Sequence, residues 1–149
     1  EYRQKVSEKL GREVSFEELQ HCWLGYMKEV PARNLMALRK LKEQGYRVIL
    51  LSNTNPYVSA WVDSEAFSGD GHSIGDYFDA MYRSYEVKYM KPDENFFRYV
   101  LGQEQTMPEE CLFIDDGPRN CCAASELGLF TYCPQNGEDW CDKIYDYLK

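Results

Sequence analysis

The stretch "VILLSNTNPY", Val48 to Tyr57, marks where the character of the chain changes. Before it, apolar residues recur at helical spacing. Here an unbroken apolar run meets Ser52-Asn53-Thr54-Asn55-Pro56. "RVILLSN" is rich in β-formers and too short for a helix between its flanks, so it predicts a strand buried on both faces. It ends on small polar residues, which is where a strand of an open sheet meets a ligand.

On the N-terminal side three helices are expected. "EYRQKVSEKLG" stops at Gly11. "SFEELQHCWLGYM" begins with Ser15 and carries Glu18 three residues later, the pattern of a capping box. Phe16, Leu19, Trp23 and Tyr26/Met27 follow at helical spacing. A third helix runs from about Ala32 to Gln44 with Leu35, Leu38 and Leu41 on one side, and Gly45 ends it. On the C-terminal side strands and helices alternate. A helix is expected through "YVSAWVDSEAF", then a strand at "AMYRSY" and a helix at "PDENFFRYVLGQ". "CLFIDD" reads as a strand, "PRNCCAASELG" as a helix, "LFTYCP" as a strand and "EDWCDKIYDYLK" as a closing helix. This alternation predicts an α/β fold: a doubly wound, Rossmann-like parallel sheet with helices on both faces, in three layers. Ligands of such sheets bind beyond the C-terminal ends of the strands.

Composition narrows the partners. A net charge of −8 over 149 residues argues against a nucleic-acid binder, which would carry a basic face. No Lys/Arg run suits an anionic membrane surface, and no apolar run approaches the ~18 residues of a bilayer span. The six cysteines form no C-x-x-C pair and show no zinc spacing. They are read as reduced, mostly buried thiols of a cytoplasmic protein.

At the strand ends stand Ser52-Asn53 and Asp115-Asp116-Gly117, and between them in sequence Lys91 precedes Pro92 at the start of a helix. Adjacent carboxylates repel unless a cation compensates, and Mg²⁺ does so with oxygen ligands. The plainer reading makes Asp116 a helix cap and Asp115 a solvated group. Lys91 near a helix N-terminus suits an anion, with Lys88 as its competitor. Ser52 lacks the G-x-S-x-G elbow and the nearby histidine of a nucleophile, since His21 and His72 lie elsewhere, so it is read as a hydrogen-bond donor to an oxyanion. Hydroxyl, lysine and acid pair on successive β-α units are together able to bind one phosphate and one Mg²⁺.

These residues give the chain a family resemblance. "VILLSNTNP", "KYMKPDENFF" and "LFIDDGPRNCCAASELG" resemble the second, third and fourth motifs of the haloacid dehalogenase-like (HAD) phosphohydrolases, and the chain is most similar to their capped sugar-phosphate (α-D-glucose-1-phosphate type) phosphatase branch. The resemblance implies that Ser52 and Lys91 bind phosphate and that the backbone of Asn53 lies beside it. It implies that Asp116 is the direct Mg²⁺ ligand, that Asp115 serves both catalysis and the metal, and that Asn120 supports the site. It further implies a Mg²⁺-dependent hydrolase of small phosphomonoesters working through an aspartyl-phosphate.

One departure is large. The nucleophile of this family is an Asp in an Asp-x-Asp motif on the first, central strand, and no Asp-x-Asp occurs here. Residues 1–30 are therefore expected to be part of a helical cap, and 31–149 a core lacking its first strand, with the nucleophile upstream in a longer protein. The chain by itself is expected to be inactive. The alternatives are a non-catalytic phosphate-binding pseudoenzyme or interaction module and, as a lesser one, a metal-independent haloacid dehalogenase. The acid pair argues against the dehalogenase. A response-regulator receiver domain has its acid pair first, whereas here it comes last. Substrate identity and oligomeric state are not legible.

Overall fold

The computed structural model describes residues 1–25 and 30–148. The expectations for Tyr26 and Met27 therefore lie outside the described residues. In chain order the helices are α1 (Tyr2–Leu10), α2 (Phe16–Leu24), α3 (Ala32–Glu43), α4 (Pro56–Val62), α5 (Ser84–Val87), α6 (Glu94–Glu104) and α7 (Pro118–Glu126). The strands are β1 (Ile49–Ser52), β2 (Ala80–Arg83), β3 (Leu112–Ile114) and β4 (Phe130–Tyr132). The chain forms two compact units, Glu1–Val48 with Thr54–Asp79, and Ile49–Asn53 with Ala80–Lys149.

The first unit is helical, and its boundaries follow local chemistry. Gly11 closes α1 in the left-handed conformation that glycine adopts without a Cβ penalty. Ser15 and Glu18 make the full capping box at the start of α2: the Ser15 hydroxyl accepts from the Glu18 N–H, and Glu18 Oε2 accepts from the Ser15 N–H. The apolar face of α2 then packs on α4. Val14, Leu19 and Tyr57 are buried together, with Val6, Phe16 and Trp23 against them. Phe16 lies 4.8 Å from the Tyr57 ring, so Phe16 and Trp23 serve packing. Leu35 and Leu41 of α3 are buried and Leu38 half-buried, as their spacing requires.

α4 is shorter than its sequence predicts. Asn55 caps it and Pro56 opens it, but it ends at Val62 instead of running on to Phe67. The Ser64 hydroxyl donates to the Trp61 carbonyl at 2.6 Å and satisfies the group that a continued helix would use.

In the second unit every strand pair is parallel. β1 pairs with β2 in the register Ile49↔Ala80 to Ser52↔Arg83, and β3 pairs with β4 in the register Leu112↔Phe130 to Ile114↔Tyr132. Among the described residues β1 and β3 each have a hydrogen-bonded strand on one side only. This corrects the expectation of a fully buried first strand: all four β1 residues are half-buried. α6 and α7 enclose the core. Phe97, Phe113, Cys121 and Ala124 are buried together with Leu51, Leu127 and Leu129 against them, and the Phe97 and Phe113 rings meet edge-to-face at 5.1 Å.

The last segment is not the long helix its pattern predicts. Among the described residues it forms a 3₁₀ turn, at Lys143–Asp146. Upstream acids hold the backbone instead: Glu138 accepts from the Gln135 N–H, and Asp139 from the Cys141 N–H. Glu138 also pairs with Lys143 and accepts from the Tyr132 hydroxyl. Ile144 is buried, while Tyr147 stacks on Tyr132 at 4.6 Å. The six cysteines are free thiols, but Cys22, Cys122 and Cys133 are exposed, so the expectation of mostly buried thiols holds only in part. Among the described residues no helix is long and apolar enough to cross a membrane.

Candidate active site

The second unit brings the C-terminal ends of β1 and β3 to one lysine. Lys91 precedes α6, whose N-cap is Asp93. Its ammonium donates to the Leu51 carbonyl at 2.8 Å and to Asp115 Oδ2 at 2.5 Å. Both side chains of this ion pair are only 10% exposed, so the pair is held in a medium where Coulomb attraction and desolvation are both large. Lys88 has a different surrounding. It closes α5 with a positive φ, and its exposed side chain donates to the Tyr85 carbonyl.

Asp115 is saturated. Oδ1 accepts from the Gly117 N–H and from the Asn120 amide, each at 2.8 Å, while Oδ2 takes the Lys91 ammonium. Burial pushes its pKa upward and is the largest single influence. The hydrogen bonds from Lys91, Asn120 and Gly117 outweigh it together, and the carboxyl lies below its ordinary value. Beneath it, Cys121 donates its thiol proton to the Asp115 carbonyl at 3.1 Å. Burial, with Cys133 beside it, pushes that thiol up to about 12, so it is not a nucleophile.

Ser52 and Asp116 differ from these in having no side-chain partners among the described residues. Ser52 is half-buried at the end of β1, and its hydroxyl makes no hydrogen bond among the described residues. Asp116 is exposed, and its carboxylate likewise engages no group among the described residues. A free carboxylate is an oxygen ligand without competition. Mg²⁺ characteristically binds through one or two carboxylates, with waters and phosphate oxygens completing the shell. Asp116 fits that donor set, although no cluster of three acidic, His or Cys residues occurs among the described residues.

Three features of this constellation were not foreseen from sequence. The Asn53 side chain, and not only its backbone, is engaged: Nδ2 donates to the Lys91 carbonyl and Oδ1 accepts from the Lys91 N–H, each at 2.8 Å. The Leu51 carbonyl holds the lysine. Gly117 is confined, since a Cβ there would come 2.8 Å from Asn120 Nδ2 and 2.9 Å from Asp115 Oδ1. The only sequence signal for the last is a glycine directly after the acid pair.

The chain is similar to known proteins along most of its length. It is 40% identical over 140 residues to a D-ribitol-5-phosphate phosphatase of Bacteroides thetaiotaomicron, covering 94% of this chain and 68% of that one. A solved structure of a predicted HAD-like family hydrolase from Porphyromonas gingivalis superposes with a TM-score of 0.93 at 38% identity, covering 98% of this chain and 71% of that one. A HAD family enzyme of Bacteroides thetaiotaomicron, solved as the wild-type protein in complex with magnesium and inorganic phosphate, superposes at 0.84 with 37% identity, covering 93% and 70%. The family description "haloacid dehalogenase-like hydrolase" matches residues 5–128, and the chain belongs to the haloacid dehalogenase-like hydrolases.

Proposed function

We propose that the protein is a Mg²⁺-dependent phosphatase of small phosphomonoesters, of the polyol- or sugar-phosphate class. The observation that carries this reading is the Lys91 ammonium. It is fixed between the Leu51 carbonyl and Asp115, and these two partners directly precede in sequence Ser52 and Asp116, whose side chains engage no group among the described residues. Two of its three protons are engaged, which leaves one for a phosphoryl oxygen. Ser52 donates a second hydrogen bond to the phosphoryl group, and the backbone of Asn53 lies beside it. Asp116 holds the metal, with Asp115 and Asn120 keeping the loop in place. Mg²⁺, when bound, neutralises charge on the phosphoryl oxygens. The phosphatase name of the 40%-identical relative and the magnesium and phosphate bound by the solved relative support the same reading.

The nucleophile in this proposal is an aspartate on a strand between β1 and β3, contributed by sequence upstream of residue 1. Each of those strands has one side without a hydrogen-bonded neighbour, which supports that placement. The aspartate attacks phosphorus, the alcohol leaves, and water hydrolyses the aspartyl-phosphate. The helices within residues 1–30 are assigned to the cap.

The test is release of inorganic phosphate from D-ribitol 5-phosphate and related esters by the full-length gene product. Turnover is expected to stop on chelation and return with Mg²⁺. Asp116→Ala is expected to lower it by about a hundredfold or more. Metal-dependent turnover retained in Asp116→Ala would overturn the metal assignment. A full-length product without an aspartate on that strand would make the chain a phosphate-binding module.

A further inference from the structure

We infer that the Asn53 side chain is a positioning residue for Lys91, a clamp that sets the lysine's ammonium at the phosphate. The inference deepens the phosphatase reading and rests on it. An asparagine at the end of a phosphate-binding strand invites the assumption that its amide contacts the substrate. Here both polar ends of the amide are consumed. Oδ1 accepts from the Lys91 N–H and Nδ2 donates to the Lys91 carbonyl, both at 2.8 Å, across 38 residues of chain. The orientation of the amide follows from chemistry: a backbone carbonyl only accepts and a backbone N–H only donates, so the reverse placement would break both bonds.

The consequence is geometric. Lys91 begins the loop into α6, where no strand ladder holds its backbone. Its side chain must meet two separate strand ends, the Leu51 carbonyl next to Ser52 and Asp115 next to Asp116. The Asn53 amide makes to Lys91 the pair of bonds that a neighbouring strand would make, and so joins the end of β1 to the lysine loop. Asn53 is itself exposed, whereas the lysine side chain it positions is 10% exposed. Its contribution lies in orientation and not in core packing.

The experiment is a double-mutant cycle on the protein chain, with inorganic phosphate in the presence of Mg²⁺ as the ligand, read by calorimetry. Asn53→Ala is expected to weaken phosphate binding about tenfold. In a Lys91→Met background the same change is expected to add nothing, because the clamp then has no ammonium to place. Equal losses in both backgrounds would mean direct contact with phosphate and would overturn the inference, as would no loss in either. The Lys91 Nζ resonance by ¹⁵N NMR gives a readout independent of phosphate. It is expected to shift in Asn53→Ala and to shift less in Asn53→Asp, which keeps the acceptor and loses only the Nδ2 donor. An unmoved resonance in both variants overturns the clamp. If Lys91→Met leaves phosphate affinity unchanged, the phosphate-site reading fails, while the resonance still decides for or against the clamp.

Discussion

Asp115 is the residue on which the site's electrostatics turn. Its carboxyl lies below the ordinary value of 3.8 because Lys91, Asn120 and Gly117 stabilise its charged form more than burial penalises it. A depressed carboxyl contributes stability that is fully present above the unfolded-state value and is lost as pH falls through the folded-state value. The melting temperature should therefore fall as pH drops below about 4, and Asp115→Asn should flatten that fall in a calorimetric pH series. Lys91→Met is the sharper change. It leaves a carboxylate that is 10% exposed without its cation, and breaking such a pair costs about 3 kcal/mol. Denaturant unfolding of Lys91→Met measures this cost. Restoring much of it with Lys91→Met/Asp115→Asn would show that the penalty is the orphaned charge. The roles proposed for Ser52 and Asp116 are of another kind, since they rest on what the two side chains lack: no group among the described residues competes for them.

Loop and helix junctions hold these residues in place. Gly117 joins β3 to α7 where there is room for hydrogen only, because a Cβ would press on Asn120 and Asp115 at under 3.0 Å. Gly117→Ala should thus destabilise the chain by about 1–3 kcal/mol and weaken Mg²⁺ binding, as measured by thermal unfolding and metal titration. The glycine's φ is negative and ordinary, so the constraint is close approach and not backbone handedness. At the start of α2 the requirement is local: Ser15→Ala removes a cap worth about 1 kcal/mol, observable in the same unfolding measurement. Elements of this sort were legible in the sequence because their signals lie within four residues. Gly11 and the Ser15–Glu18 box both appear where pattern places them. The failures also have local causes. α4 and the closing helix both lose their expected length to side chains that capture backbone groups, Ser64 in one case and Glu138 with Asp139 in the other.

At the scale of the molecule, ligands that bind only the folded chain must stabilise it. Mg²⁺ and phosphate together should raise the melting temperature more than the sum of either alone, with a gain near 2.7 kcal/mol at about a hundred times the dissociation constant. Asp116→Ala should abolish that synergy. The α/β class, the alternation of strands and helices, the parallel sense of the strands and the strand ends that carry Ser52 and the acid pair were determined by the sequence alone. Apolar periodicity and alternation act over short distances, and the crossover rule then allows few topologies. Three things were decided only by the tertiary structure: that the Asn53 amide clamps Lys91, that the Leu51 carbonyl and Asp115 divide the ammonium between them, and that β1 is half-buried. Each depends on groups 24 to 40 residues apart or on the presence of a neighbouring strand. Contacts over such separations leave no periodic trace in the chain, because they are set by the closing of the fold and not by the order of adjacent side chains.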